Sequence, residues 1–304
     1  MNYKEFLEEV RLQLQKMLGS DITLTQCEAL KNNGILKQGI TFQEAGRNEA
    51  PTIYLEDYYA EYKKGADLSK VIAEILKIYQ MSPKLHVEYD ILNFDEIKPR
   101  IIYSLINTQE NLKLLEDIPH IPYLDLSIVF YILFEESSQG MPMALISNEL
   151  LAIWKVSVDE LFSCASINTA SLLPANFTNM STIINKMESS DCSDLPEVDL
   201  SDLPMYVLTN EVGNCGASCL LYDGVLKMIG EKLEKNYYVL PSSIHESIIV
   251  PESPCSDAAL FHEMVRDINN TQVRPNEVLS DYPYYYDRNA ETLVLPNADY
   301  TQLN

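Results

Sequence analysis

Basic residues are scarce in this chain: 22 lysines and arginines stand against 45 aspartates and glutamates in 304 residues, for a formal charge of −23. A field of that sign repels phosphate backbones and anionic headgroups, both of which need a basic face, so neither nucleic acid nor a membrane surface is expected as a partner. The nearest approach to a basic cluster, Lys63-Lys64, sits beside Glu56, Asp57 and Glu61. Long apolar runs are lacking as well. A membrane helix needs about 20 consecutive apolar residues, and the best candidate, Leu124 to Phe134, is interrupted by Asp125 and Ser127 and reads instead as a buried strand. The opening Met1-Asn-Tyr-Lys-Glu-Phe-Leu-Glu-Glu-Val carries acids where a secretory leader has its apolar core. Cysteine is limited to Cys27, Cys164, Cys192, Cys215, Cys219 and Cys255, without framework spacing, which suits reduced thiols and a cytoplasmic location.

Several chemical signatures are missing too. No CxxC pair occurs, and Gly213-Asn-Cys-Gly216 is too short for a phosphate loop and lacks its lysine. Phe261-His262-Glu263-Met-Val-Arg266 starts like a zinc-protease helix, but Arg266 stands where the second histidine is needed. The acidic run Ser189 to Pro204 has no Asp-x-Asp-x-Asp-Gly loop for calcium. No metal and no cofactor is therefore expected.

What is present is an α+β pattern with mixed sheets. Tyr3, Leu7, Val10, Leu14 and Met17 share a helical face closed by Gly19. Ile22 to Leu30 and Ile35 to Phe42 read as a hairpin around Asn32-Asn33-Gly34. Two helices, Asp57 to Lys64 and Asp67 to Tyr79, complete an α-β-β-α segment over residues 1–81. Residues 82–188 form a central αβ segment that begins in the unpatterned Ser82 to Arg100. Ile101 to Ile106 and Leu124 to Phe134 are its strands, Met143 to Ile146 is a short one, and Asn148 to Trp154 and Val158 to Ala170 are its helices, the second capped by Ser157. Residues 189–204 are an acidic loop or linker. Residues 205–304 read β-α-β-β-α-β-β, with a helix from Ser256 to Asn269 and two short strands within Val278 to Leu295, around Asp287-Arg288-Asn289.

Met141-Pro-Met-Ala-Leu-Ile-Ser-Asn-Glu-Leu-Leu, Asn168-Thr, Tyr206-Val-Leu-Thr-Asn, Leu240-Pro-Ser-Ser-Ile-His-Glu and Val278-Leu-Ser-Asp-Tyr-Pro-Tyr-Tyr-Tyr-Asp-Arg resemble the domain-of-unknown-function 5688 family of gut clostridia. The resemblance covers nearly the whole chain. It implies a cytosolic bacterial protein and one family-wide unit, and it brings no activity, cofactor or catalytic residue with it.

The richest stretch for chemistry is Met205 to Pro251. Cys215 or Cys219, then His245, then Asp281 follow the chain order of papain-like hydrolases, in which an imidazole oriented by a third group activates a thiolate at a helix start. No nucleophile signature surrounds them, so the competing reading makes Cys219 a small buried hydrophobe and Cys215 a turn residue. Ser243 and Glu246 flank a turn and are candidates for binding, or simply for satisfying turn amides. Tyr284 and Tyr286, within Tyr282-Pro-Tyr-Tyr-Tyr286, could stack on a ligand or split between core and sheet face. The leading expectation is a non-catalytic binding or protein-interaction protein with a protein partner, which would be a basic one if the tyrosine rings form an exposed patch beside the acidic loop. The alternative is a cysteine-dependent hydrolase.

Overall fold

The computed structural model describes residues 1–46, 50–81, 89–135, 141–188, 204–254 and 256–296. The chain divides into two compact units, Met1–Glu88 with Phe134–Pro142, and Tyr89–Leu133 with Met143–Asn304.

The first unit opens with α1 (Tyr3–Leu18), started by a reciprocal cap: Asn2 Oδ1 accepts from the Glu5 amide and the Glu5 carboxylate accepts from the Asn2 amide, both at 2.9 Å. Its inward face is Phe6, Leu7, Val10 and Leu14; Met17, expected on that face, is exposed. Strands β1 (Ile22–Leu30) and β2 (Leu36–Glu44) pair antiparallel from Ile22 opposite Glu44 to Leu30 opposite Leu36. The turn between them bends as the sequence predicts, with positive φ at Asn33 (59°) and Gly34 (67°). β3 (Thr52–Tyr54) adds a third strand beside β2; three residues are too few to show a period. Helices α2 (Glu56–Lys63) and α3 (Leu68–Met81) follow, and Val71, Ile72 and Ile75 close the core against Leu24, Ile40 and Phe42.

The second unit holds two sheets. Its first part runs α4 (Phe94–Ile97), β4 (Ile101–Asn107), α5 (Leu112–Leu115), β5 (His120–Tyr123), β6 (Leu126–Leu133), β7 (Met143–Leu145), α6 (Asn148–Trp154) and α7 (Val158–Leu172). β6 lies between β4 and β5, with β7 also paired to it. β5 contains Pro122, which is tolerated because the strand lies at a sheet edge. The free edge of β4 is covered by α7, which begins at the expected Ser157 cap. Thr169 Oγ1 accepts from the Tyr103 amide (3.0 Å), and Asn168 Nδ2 donates to the carbonyls of Lys98 (2.7 Å) and Ile101 (3.0 Å). Helix side chains thus take the place of a neighbouring strand.

The second part runs β8 (Ala175–Asn179), α8 (Met180–Glu188), β9 (Tyr206–Asn210), a 3-10 helix (Gly216–Leu221), α9 (Val225–Leu233), β10 (Tyr237–Ser243), β11 (Glu246–Pro251), α10 (Ala258–Thr271), β12 (Tyr284–Asp287) and β13 (Thr292–Val294). The strand order is β13-β12-β10-β11-β9-β8. The first helix of the expected β-α-β-β-α-β-β order is split into the 3-10 helix and α9, because Gly224 between them adopts a left-handed conformation (φ 73°). Every pairing among the described residues is antiparallel, which corrects the expectation of mixed sheets within the α+β class. The short turns after β10 and β12 permit no other direction. The expected acidic loop lies almost wholly outside the described residues. β8, before it, pairs with β9, after it, so the two flanks belong to one sheet.

Asp125, between β5 and β6, ties the two sheets together. Its carboxylate accepts from Tyr284 Oη and from Ser280 Oγ, each at 2.6 Å, and both donors belong to fully buried residues. Nearby, Asn107 Nδ2 donates to the Leu279 carbonyl at 3.0 Å. Burial, reinforced by the Asp125 charge, holds the Tyr284 phenol far above its usual range, so it stays a donor. Tyr284→Phe should therefore cost about 1.5–3 kcal/mol, the value of a hydrogen bond to a charged group, and Asp125→Ala more, since it strands two buried hydroxyls. Urea unfolding monitored by circular dichroism measures both; a pair of variants as stable as the parent would contradict the tie.

Candidate functional site

The geometry of the proposed cysteine set begins at Gly216. A Cβ there would lie 2.2 Å from the His245 carbonyl oxygen, 2.2 Å from Thr209 Oγ1 and 3.0 Å from the Asn210 amide, so only glycine lets the 3-10 helix meet β9 and the β10–β11 turn this closely. The contact is stitched on each side. Thr209 Oγ1 donates to the His245 carbonyl (2.8 Å), the Ala217 amide to the Ile244 carbonyl (3.2 Å), and the Ile244 amide to the Glu277 carbonyl (2.9 Å). The Asn210 side chain closes the loop between, accepting from the amides of Val212 and Gly213 and donating to the Asn214 carbonyl.

This junction brings His245 to Cys215, but to its backbone. The Cys215 amide donates to His245 Nδ1 at 3.4 Å, which leaves the ring proton on Nε2. Nε2 lies 3.9 Å from Glu277 Oε1, beyond hydrogen-bonding distance, and Arg274 Nη1 reaches that same oxygen at 3.5 Å. The thiols face the interior. Cys215 is buried, with Sγ 3.6 Å from Asn214 Oδ1, and Cys219 Sγ donates to the Thr209 carbonyl at 3.2 Å. Burial pushes the Cys215 thiol up, only partly offset by Ser104, and pushes Cys219 up to about 12. Both shifts oppose the lowering that makes a thiolate nucleophile. Cys215 caps a 3-10 helix in a left-handed conformation (φ 54°), so the helix start that would stabilise a thiolate belongs to a six-residue segment.

Asp281 is elsewhere. Its Oδ1 accepts from Asn269 Nδ2 (2.7 Å) and its carbonyl meets His262 Nδ1 (2.8 Å), whose ring stacks on Tyr282 with centroids 5.1 Å apart. Ser243 Oγ accepts from the His245 amide at 3.1 Å, a turn-closing bond, and Glu246 is exposed at the start of β11. Tyr284 and Tyr286 point inward and are buried, Tyr286 stacked on Tyr237 at 4.8 Å, which withdraws both as ligand-stacking residues. The strand alternation behind this puts Tyr285 on the other face, against Tyr238. The hydroxyls of Ser218 and Ser247 are buried without a hydrogen-bond partner among the described residues, so neither has a base to activate it. Among the described residues no group of three or more His, Cys, Asp or Glu is placed to hold a metal ion.

An open concave site lies at the far end of β10 and β11, a cleft of about 630 Å³ whose lining includes Lys235, Asn236, Glu252, Ser253, Arg288 and Asn289. Asn236 organises it. Its Nδ2 donates to Tyr285 Oη (2.7 Å) and Glu252 Oε2 (3.2 Å), and its Oδ1 accepts from the Arg288 amide (3.0 Å). Tyr285 Oη in turn donates to Glu252 Oε1 at 3.1 Å, and burial with that bond raises its pKa. The Glu252 carboxylate is thereby fixed on both oxygens. Lys235 and Arg288 have no ion-pair partner among the described residues. Sequence reasoning missed Thr209, Gly216, Asn236 and Glu277. Only Gly216, which opens the small run Gly-Ala-Ser-Cys three residues after Gly213, carried a signal.

Together these features define an α+β protein with interior thiols and an open polar cleft. The chain belongs to DUF5688, a family of unknown function, whose model matches residues 3–288 and so takes in both compact units. A search of curated proteins finds no match, and neither does a search of solved structures.

Gly216→Ala should prevent stable folding or lower stability by at least about 3 kcal/mol, because backbone rather than a flexible side chain blocks the new methyl. A normal melting temperature would refute the close approach. The thiol shifts also set a pH dependence. With Cys219 raised from the usual 9.0 to about 12, its contribution to stability is whole below pH 9.0 and is lost as pH rises toward 12. The buried phenols of Tyr222 and Tyr237, also raised, act in the same direction at higher pH. The urea midpoint should fall steadily above about pH 9, whereas a midpoint that rises there would contradict the burial of these groups.

Proposed function

We propose that this chain is a non-catalytic binding protein of the bacterial cytoplasm. What carries the reading is the bond from the Cys215 amide to His245 Nδ1, which spends the imidazole on the backbone while both thiols point into the core. A cysteine hydrolase needs that imidazole on the sulfur and a third group orienting it, whereas the Asp281 carboxylate is engaged by Asn269. The polar cleft around Asn236, with its fixed Glu252 carboxylate and with Lys235 and Arg288, which have no ion-pair partner among the described residues, offers both signs of charge to a ligand. Such convergent polar groups in a concave site recognise ligands without needing a nucleophile. The bacterial and cytoplasmic parts of the reading rest on the family resemblance and on the unpatterned thiols.

Site-resolved alkylation of the native protein with iodoacetamide, followed by mass spectrometry from about pH 6 to about pH 9, tests it. Cys215 and Cys219 should stay unlabelled while the partly exposed Cys27 and Cys164 react at the rate of ordinary thiols. Fast labelling of Cys215 or Cys219 below neutrality would overturn the reading in favour of a cysteine-dependent enzyme.

A further inference from the structure

Helix α10 carries two apolar faces. Phe261 and Val265 join the buried cluster with Leu240 and Val250, as an inward face should. Beside them, Leu260, Met264 and Ile268 recur at every fourth residue and remain 49%, 38% and 42% exposed. At roughly 100° per residue, Leu260 and Ile268 each lie within about 40° of Met264, so the three form one continuous ridge. Single exposed apolar residues are ordinary, but three in register on one helix mark a contact surface. On the solvent side of the ridge come Asp267 and Glu263, about 60° and about 100° from its centre, while Arg266 lies about 160° away on the opposite face. Neither acid has a cationic partner among the described residues.

The acidic margin decides the occupant. A second copy laid antiparallel on this ridge would set Asp267 and Glu263 against their own counterparts, and two chains of charge −23 would already repel. We propose that the ridge is the docking surface for an amphipathic helix of a basic protein partner. Apolar side chains of that helix pack along Leu260, Met264 and Ile268, and its lysines or arginines meet Glu263 and Asp267. Met264 at the centre adapts its thioether to the incoming side chains. The proposal rests on the reading of the chain as a binding protein, and it is independent of what occupies the cleft around Asn236.

The probe is a fluorescent synthetic Leu/Lys helix of about 18 residues, five turns long, titrated with the full chain at near-physiological salt and read by anisotropy. Two controls accompany it: a scrambled peptide of the same composition with no apolar stripe, and a Leu/Glu analogue. Saturable binding of the amphipathic basic peptide alone is expected, weakened by at least about tenfold in Met264→Glu and by a smaller factor when Glu263 and Asp267 are both changed to lysine. Ile268→Ser serves in place of Met264→Glu if circular dichroism shows that the latter fails to fold. Equal binding of the scrambled peptide, binding of the Leu/Glu analogue, an affinity unchanged by the ridge substitutions, or no binding at all would overturn the proposal. So would light scattering that shows a dimer dissolved by Met264→Glu, since the ridge would then belong to a second copy. A reactive thiol in the alkylation experiment would defeat the binding-protein reading but leave these peptide outcomes as they stand, so the two failures are distinguishable.

Discussion

The close approach at Gly216 is the constraint from which the character of this site follows. With no side chain there, the 3-10 helix can press against Thr209 and the Ile244–His245 turn, and three backbone segments are stitched by short-range hydrogen bonds. That packing turns Cys215 and Cys219 inward and leaves the Cys215 amide as the group that His245 meets. Thr209, Asn210 and the Cys215 amide are engaged there in hydrogen bonds that hold the chain in place. Burial then acts on the thiols in one direction, upward, and removes the nucleophilic form near neutrality.

Around this junction the second unit solves two further problems of buried polar groups with single side chains. Asp125 accepts from two buried hydroxyls and so links the sheet containing β6 to the sheet containing β12. Thr169 and Asn168 of α7 satisfy the free edge of β4, whose six buried residues could not be left facing an unpaired backbone. Both devices are local and use few residues. The cleft is built differently. Asn236 there bonds to a carboxylate, a phenol and a backbone amide at once, beside Lys235 and Arg288, which have no ion-pair partner among the described residues.

Much of the architecture was legible because it rests on local physics. The capping box at Ser157, the positive-φ pair Asn33-Gly34, the β-α-β-β-α-β-β order after residue 205 and the inward helix faces are each written in a few adjacent residues. β3, β5 and β8 were not, since strands of three to five residues without a period are indistinguishable from loops until a partner strand supplies their bonds. The site was less legible still. Chain order grouped Cys215 or Cys219 with His245 and Asp281, yet it says nothing of whether sulfur or amide faces the ring, and nothing local announces that Asp281 turns to Asn269 or that Glu277 lies beside the imidazole. The tyrosine run was readable as alternating, but which members go inward depended on the register of β12 with β10.

His245 is committed to a backbone amide rather than to a thiol. Long-range proton–nitrogen correlation on protein carrying nitrogen-15 histidine reads the protonation of each ring nitrogen directly. A neutral His245 ring should show Nδ1 unprotonated and accepting, with the proton on Nε2. A ring protonated at Nδ1 with a bare Nε2, or an imidazolium paired with a thiolate, would contradict it.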